Sequence, residues 1–310
     1  MISYLIEIKK MLSEVLPFCS KYWYHIVIAL CFCFFFESIV LRLTKRGIFA
    51  IISNALKYSD SARKDPKNEE LDEVDSDNEE KFVESALPED LKHLPYEYSK
   101  PSDEELLRRA NEFYEITNAR RTIRFFSEEN VPKEVIRHII RAAGTAPSGA
   151  HTEPWSFVVV SNKTMKALIR EIVEREEEIN YKKRMGIKWT TDLRPLKTNW
   201  IKEYLTAAPY LILVFKQVYG FLPNGKRKVH YYNEMSVSIA CGILLTAIQY
   251  TGLVTLTSTP LNCGPAIRTL LQRPSNEKLV LLLPVGYPAK DATIPDLRRK
   301  SLSEILVEID

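Results

Sequence analysis

YYNEMSVSIACGILLTAIQYTG, residues 231–252, is the stretch of this sequence that decides its fold. Apolar residues occupy most sides of a helix drawn through it, and Gly252 stands where the helix would end. A helix that is apolar on most faces has to be covered by other elements. The sequence therefore predicts that this helix lies at the centre of the core.

Helices and strands alternate irregularly on both sides of this stretch. Helical patterns are SDEELLRRANEFYEITNAR, with Ser102 as N-cap, PKEVIRHIIRAAGTAPS, and KTMKALIREIVEREEEINYKKRMG, a long charged helix ending at Gly186. Strand patterns are WSFVVVS, APYLILVFKQ, LVTLTST and KLVLLLPVGY. Because no strict strand–helix–strand repeat joins them, the sequence predicts one α+β domain over residues 101–310.

An apolar segment near the amino terminus predicts a membrane anchor. After a short N-terminal segment, residues 1–21, the sequence YWYHIVIALCFCFFFESIVLRL at 22–43 is long enough to cross a bilayer as one helix. Aromatic residues begin it and basic residues follow it, although Glu37 is a costly charge within the span. A cleaved signal peptide is the alternative, but no small-residue cleavage site follows. Flanking basic residues favour a cytosolic carboxyl-terminal part by a small margin.

Residues 44–100 form a predicted acidic linker. Between Asp60 and Asp90, thirteen Asp and Glu residues stand against four Lys and Arg residues, a formal charge of −9. Such a segment buries too little apolar surface to offset the entropy of the chain, so a disordered tether is predicted. An acidic docking segment is the alternative.

Composition argues against several classes of function. The formal net charge of +3 is too small to indicate a nucleic-acid-binding protein. The ten glycines include no G-x-G pair, so the dinucleotide-binding fingerprint is absent. The cysteines lack metal-ligand spacing and the histidines form no H-x-x-x-H pair, so no metal site is predicted. With only Cys241 and Cys263 in the main domain, a reduced, cytosol-facing domain is predicted.

The sequence RRTIRFF at 120–126 concentrates three arginines in five positions. In an extended chain Arg120, Thr122 and Arg124 point to one side, which places a hydroxyl between two guanidinium groups. Such a cluster suits a phosphate monoester, and the basic run DLRRK at 296–300 could close on the same anion. A solvated basic patch is the alternative.

Two loops add hydroxyl groups and open backbone. In GTAPSGAHTEPWSFVVV, residues 144–160, small residues allow a flat ligand to approach the backbone, and Ser148 can donate a hydrogen bond. In TLTSTPLN, residues 255–262, the three consecutive hydroxyls of Thr257, Ser258 and Thr259 stand at the end of a predicted strand. An ordinary turn and a polar strand exit are the alternatives.

In this order and at these intervals, RRTIRFF, APSGAHTEPWSFVVV, TSTPLN and LLPVGYP resemble the nitroreductase-fold flavoproteins. Within that superfamily the sequence is similar to the iodotyrosine deiodinases, through EEEINYKKRMG, TDLRPLKTNWIKEYL and KVHYYNEMSVSIACGILLTAIQ. The resemblance covers about residues 100–310 and the order of anchor, linker and domain. Thr122 departs from the serine of many relatives but keeps the hydroxyl. The resemblance implies a central, mostly antiparallel sheet flanked by helices, in an intertwined homodimer.

The resemblance implies FMN as the cofactor, bound at the dimer interface. It assigns the arginines to the phosphate side, Ser148 to a contact from the partner subunit, and to Thr259 the catalytic position, a hydroxyl bonded to flavin N5. The implied FMN-binding residues are Arg120, Arg121, Thr122, Ile123, Arg124, Ser148, Thr257, Ser258, Thr259 and Arg299.

The resemblance also implies a substrate lid. Glu177 would bind the ammonium of an amino acid, while Lys202 and Tyr181 would bind its carboxylate. The phenolate oxygen would accept a hydrogen bond from the N–H of Ala150. Without the resemblance, Glu177 and Lys202 read as ordinary solvated helix charges.

These implications predict a membrane-anchored enzyme that removes iodide from mono- and diiodotyrosine, leaving tyrosine. Its electrons would come from a reductase or from NADPH. A general flavin nitroreductase is one alternative. A flavin-bound membrane regulator acting through a protein partner is another.

Overall fold

The computed structural model describes Ser85 and residues 87–309. The predicted N-terminal segment, the anchor at 22–43 with Glu37, and most of the acidic linker lie outside these residues, so their structure stays a prediction. The described part of the linker, residues 87–100, has no helix or strand and is almost entirely exposed. Among the described residues, no helix combines the length and apolar character that a bilayer crossing requires.

The described chain forms one four-stranded sheet between two layers of helices, with a small hairpin beside it. The helices are α1 (Asp103–Asn118), α2 (Lys133–Ala143), α3 (Lys163–Ile179), α4 (Gly186–Leu193), α5 (Tyr204–Ala207), α6 (Asn233–Tyr250), α7 (Gly264–Leu270) and α8 (Leu302–Ile305). The strands are β1 (Trp155–Val160), β2 (Tyr210–Gln217), β3 (Tyr219–Phe221), β4 (Arg227–Val229), β5 (Val254–Thr255) and β6 (Glu277–Gly286). The sheet order is β1-β2-β6-β5, antiparallel throughout, and β3 pairs with β4. The predicted α+β class and antiparallel sheet are confirmed.

Strand β2 is the centre of the core because it is buried on both faces. Side chains of a strand alternate between faces. Leu211, Leu213 and Phe215 therefore pack with α3, α5 and α7. Ile212 and Val214 pack on the opposite face with α2 and α6. All five are completely buried, so β2 fixes the position of both helix layers.

Helix α6 is the predicted core helix, and one side of it is buried as expected. Its inward residues, among them Val237 and Leu244, have no exposed surface. Its outward side is different, because Ile239 is 41% exposed and Tyr250 is 74% exposed. Together with α1, this outward side forms an open apolar cavity of about 600 Å³. The described chain therefore leaves part of the apolar surface of α6 uncovered.

Two predicted boundaries are corrected. The charged helix α3 ends at Ile179 and continues as a π-helical turn, Asn180–Arg184. In this turn Asn180 is buried and donates a hydrogen bond to the carbonyl of Leu261. The predicted strand LVTLTST contains only β5, after which Ser258 rejoins β6 through a single bridge to Leu282. Lys202, expected on a helical stretch, precedes α5 in a loop.

Candidate functional site

The predicted phosphate segment and the predicted hydroxyl segment lie side by side. Thr122 pairs with Thr255 in a parallel bridge, and the N–H of Ile123 donates to the carbonyl of Thr255 at 3.2 Å. Ile123 is buried, while the three arginines of the segment are half-buried. The hydroxyls of Thr257, Ser258 and Thr259 follow directly along the chain. The segment is thus built into the sheet edge and is not a freely solvated patch.

The carboxyl-terminal tail closes over this segment. Arg299 donates through Nη1 to the carbonyl and the side-chain oxygen of Asn118, both at 2.8 Å, and through Nη2 to the carbonyl of Arg120 at 2.7 Å. Arg121 donates in return to the carbonyl of Pro295 at 2.5 Å. The structure therefore brings Arg299 to the arginine segment across about 180 residues of sequence.

This donor set fits the phosphate of the predicted FMN. A guanidinium carries five N–H donors, and three of those of Arg299 are accounted for by Asn118 and Arg120. Its remaining donors, with the side chains of Arg120 and Arg124, can serve an anion. The neighbouring hydroxyls are neutral groups that can both donate hydrogen bonds to a flavin ring and accept them from it.

Glu177 and Lys202 form a buried ion pair. Oε2 of Glu177 lies 3.6 Å from Nζ of Lys202, and the two residues are only 7% and 6% exposed. Oε1 of Glu177 accepts a hydrogen bond from Asn180 at 3.3 Å, and Nζ of Lys202 donates to the carbonyl of Asn199 at 2.5 Å. The alternative of solvated helix charges is therefore wrong. Burying two charges is costly, so each must keep a partner.

Tyr181 completes the predicted lid group. Nζ of Lys202 lies 5.4 Å from the centre of the Tyr181 ring, a cation–π distance. Trp200 contacts the same ring edge-on, with centroids 6.1 Å apart. The structure therefore brings Glu177, Tyr181 and Lys202 into one group although the helix between the first two changes its hydrogen-bonding pattern.

Burial shifts the pKa values of Lys202 and Tyr181. It lowers the pKa of Lys202, and the negative charge of Glu177 opposes that shift. Burial raises the pKa of Tyr181, and a hydrogen bond with Thr198 opposes that shift. The positive charge of Arg124 acts on both residues: it adds to the downward shift in the pKa of Lys202 and opposes the upward shift in the pKa of Tyr181. Arg124 therefore lies where the predicted cofactor residues and the predicted substrate residues meet.

Sequence reasoning missed two residues of the site. Asn180 is 1% exposed and contacts Glu177 as well as the carbonyl of Leu261 at 3.4 Å. Tyr204 is 8% exposed and lines a cavity of about 440 Å³ that Arg124 and Thr198 also line. Asn180 sits within a charged helical run and Tyr204 directly follows Lys202 and Glu203, so neither stands out in the sequence. A polar side chain that is fully buried is the structural signal that finds them.

Ser148 and Ala150 belong to the loop between α2 and β1. Their loop packs against the start of α6, where an added Cβ on Gly149 would lie 3.0 Å from the carbonyl oxygen of Tyr231. Ser148 Oγ accepts a hydrogen bond from the N–H of Glu153 at 3.0 Å. Ala150, with φ of 48°, lies in the left-handed region, a costly conformation for a residue with a side chain.

Comparison with known proteins identifies the family of this chain. The model of the nitroreductase family matches residues 117–287. Over 231 residues the chain is 63% identical to "Iodotyrosine deiodinase" of Danio rerio, covering 74% of this chain and 78% of that protein. It is 57% identical over 265 residues to "Iodotyrosine deiodinase 1" of Homo sapiens, covering 86% and 90%.

A solved structure agrees with this similarity. A crystal structure of oxidized iodotyrosine deiodinase bound to FMN and 3-iodo-L-tyrosine matches with a TM-score of 0.55 and 31% identity. The match covers 64% of this chain and 98% of that one. The resemblance inferred from the motifs is confirmed. The chain belongs to the nitroreductase family, in the group that contains the iodotyrosine deiodinases.

Proposed function

We propose that this protein is an FMN-dependent enzyme that removes iodide from mono- and diiodotyrosine. Its relatives at 57% and 63% identity are iodotyrosine deiodinases, and the similar solved structure holds FMN and 3-iodo-L-tyrosine. The single observation that carries the proposal for this chain is the buried pair of Glu177 and Lys202 beside Tyr181. An anion and a cation held together in a dry site match the two charges of an amino acid.

Halotyrosine binding replaces one ion pair with two. The ammonium of the ligand pairs with Glu177, and its carboxylate binds Lys202 and the hydroxyl of Tyr181. Both buried charges thereby keep a partner, which a ligand with only one charge does not provide. The site therefore selects zwitterions over simple halophenols. Closing the lid group over the ligand also excludes water from the reacting ring.

The reaction exchanges a carbon–iodine bond for a carbon–hydrogen bond. This takes two electrons and one proton and releases iodide, and bound FMN supplies the electron-transfer chemistry. The residues of the chain bind and orient the cofactor and the substrate. Arg120, Arg121, Arg124 and Arg299 would hold the phosphate, and Thr259 would offer its hydroxyl to flavin N5. The N–H of Ala150 is the donor for the phenolate oxygen.

We infer that two subunits complete the site. Among the described residues, the loop of Ser148 and Ala150 packs on the start of α6 and makes no hydrogen bond to residues 120–124. Contact from a partner subunit would bring that loop to the cofactor. The exposed apolar sides of α1 and α6 are the surface available for such a homodimer.

The anchor at 22–43 places this enzyme on a membrane in our proposal. The basic residues around it favour a cytosolic catalytic domain. There, a reductase or NADPH-derived electrons would reduce the cofactor. The acidic linker would serve as the tether.

Iodide release from the full-length chain tests the proposal. The protein, solubilised in detergent and loaded with FMN, is reduced with dithionite and mixed with monoiodotyrosine. We expect equal amounts of iodide and tyrosine. Glu177→Gln should raise the KM at least about 10-fold, because a charge-assisted contact is lost and the buried ammonium of the ligand stays without a counter-charge. Glu178→Gln is the matched control, since Glu178 is half-exposed and pairs with Lys182.

The main competing function is a general flavin nitroreductase, which membership of the nitroreductase family favours. Rapid NADPH oxidation with nitroarenes, unaffected by Glu177→Gln and without iodide release from monoiodotyrosine, would establish that function instead.

A further inference from the structure

One face of helix α3 carries charged residues that reach the chain around Lys202. They stand three or four positions apart, which places them on the same side of a helix. These residues are Lys166, Arg170, Glu174 and Glu177. Each of them contacts a residue between Lys202 and Ala208. Of the four, only Glu177 belongs to the lid group.

Glu174 binds the main chain of Lys202. Its Oε1 accepts a hydrogen bond from the N–H of Lys202 at 2.6 Å. The carbonyl of Lys202 accepts a hydrogen bond from the N–H of Leu205 in α5 at 3.0 Å. Both main-chain polar groups of Lys202 are therefore engaged, one by α3 and the other by α5, although the residue itself lies in a loop.

The carboxylate of Glu174 is itself held in place. Nε of Arg170 donates to the same Oε1 at 2.7 Å, in an ion pair along α3. Nη1 of Arg170 also donates to Oγ1 of Thr206 at 2.9 Å. Nζ of Lys166, which is only 4% exposed, donates to the carbonyls of Thr206 and Ala208 at 3.0 and 2.6 Å. Helix α5 and the residues beside it are thus bound to α3 at both ends.

These contacts bear on where the ammonium of Lys202 lies. A lysine has a flexible four-carbon stem, so its Nζ is well placed only if the main chain that carries it is fixed. Glu174 fixes that main chain from the helix that also presents Glu177, three residues further on. The two carboxylates of α3 therefore hold both ends of Lys202: Glu174 holds its N–H and Glu177 holds its Nζ.

We propose that Glu174 is a positioning residue, which holds the main chain of Lys202 so that its ammonium can meet the carboxylate of an amino acid ligand. The inference rests on the proposed function. Glu174 acts on the ligand only through Lys202, so the loss of its acceptor weakens halotyrosine binding. The carboxylate of the ligand is remote from the carbon–iodine bond, so the contact is equally strong before and during the reaction. Such a loss raises the KM and leaves kcat unchanged.

The variant Glu174→Ala tests this inference in the full-length, FMN-loaded protein. We expect the Kd and the KM for monoiodotyrosine to rise about 3- to 10-fold, the value of one hydrogen bond. Both kcat and the Kd for FMN should stay within about 2-fold of the wild-type values, which a general loss of structure would not allow. Titrations of flavin fluorescence measure the two dissociation constants, and iodide release measures kcat and KM.

The variant Glu174→Gln separates the acceptor from the charge. Glutamine keeps a side-chain oxygen that can accept from the N–H of Lys202. This variant should therefore bind monoiodotyrosine within about 2-fold of the wild-type affinity.

Glu178→Ala is the matched control. Glu178 also lies on α3 and also forms an ion pair with a basic residue four positions away, but its partner is Lys182, at 2.6 Å. A loss that came from the helix as a whole would appear in both alanine variants. The proposal confines the loss of halotyrosine affinity to Glu174→Ala.

Several results would overturn the inference. They are an unchanged halotyrosine affinity in Glu174→Ala, equal losses in the two alanine variants, a loss in Glu174→Gln as large as that in Glu174→Ala, or an effect confined to kcat or to FMN affinity. A wild-type protein that holds FMN but neither binds monoiodotyrosine nor releases iodide would overturn the proposed function, and the inference with it. The behaviour of the wild type thus distinguishes the two failures.

Discussion

At the scale of the residue, burial changes the pH range in which Lys202 can bind an anion. Its pKa is lowered because the side chain is buried, and Glu177 opposes this shift without cancelling it. Below the lowered pKa the ammonium group is charged and can hold a carboxylate. As pH rises through that pKa the charge is lost, and the affinity for a carboxylate is lost with it.

The variant Lys202→Arg separates this titration from that of the ligand. An arginine remains charged at any pH at which the protein is folded. We expect wild-type affinity for monoiodotyrosine to decline at a pH below the usual range of lysine, and that of the variant to persist to higher pH. The titrations of the ligand are common to both proteins, so the difference between the curves reports residue 202. Equilibrium titrations of flavin absorbance at increasing pH measure both curves.

Lys182→Arg is the control for this comparison, because Lys182 is exposed and pairs with Glu178. It should follow the wild-type curve. Coincident curves for wild type and Lys202→Arg would show that Lys202 does not limit binding at alkaline pH.

At the scale of the element, the carboxyl-terminal tail and the segment after α1 hold each other. Arg299 binds the end of α1 and the carbonyl of Arg120, while Arg121 binds the tail at Pro295. The tail thus determines where the arginine segment lies, in addition to any contact with an anion.

Arg299→Ala should therefore weaken FMN binding about 10-fold or more, since it removes charge-assisted hydrogen bonds and frees the end of the tail. Arg298→Ala removes an equal charge from the adjacent exposed position and should change the Kd for FMN far less. Quenching of flavin fluorescence measures both constants. Equal losses in the two variants would mean that net charge, and not the contacts of Arg299, sets the affinity.

The same elements show what the sequence could predict. Arg124, Thr259 and Glu177 stand in motifs whose order identifies the family. The resemblance therefore predicts that the three residues belong to one site. The π-helical turn at Asn180–Arg184 and the short β5 depend on tertiary contacts, which outweigh local helix and strand patterns. Tyr204 could not be found because Arg124, which lines the same cavity, lies 80 residues away in the sequence.

At the scale of the whole molecule, the outward sides of α1 and α6 are too apolar for a surface in water. Phe113 is 60% exposed and Met235 is 64% exposed, in addition to Ile239 and Tyr250. Patches of this kind mark interaction surfaces. A second copy of the chain would cover this patch in the proposed homodimer.

Gly242→Lys tests the homodimer. A Cβ at Gly242 would meet no atom within 4 Å in the described chain, so a lysine fits one subunit alone, but it would place a charge in the interface. We expect light scattering to report a monomer, and absorbance to report lost FMN because Ser148 of the partner no longer contributes. Glu171→Lys, on the exposed face of α3 in the other helix layer, should leave both unchanged. A dimeric Gly242→Lys protein that retains FMN would rule out this interface.

The ion pair of Glu177 and Lys202 also bears on how the product leaves. Before an amino acid binds, Glu177 and Lys202 are paired with each other. The ligand therefore has to break this ion pair in order to bind either side chain. The free energy of binding is therefore the difference between two sets of contacts, and it is smaller than the ligand contacts alone would give. When tyrosine departs, the pair closes again and neither charge is left alone in the dry interior. The pair thus limits how tightly any amino acid is held, which favours turnover over retention.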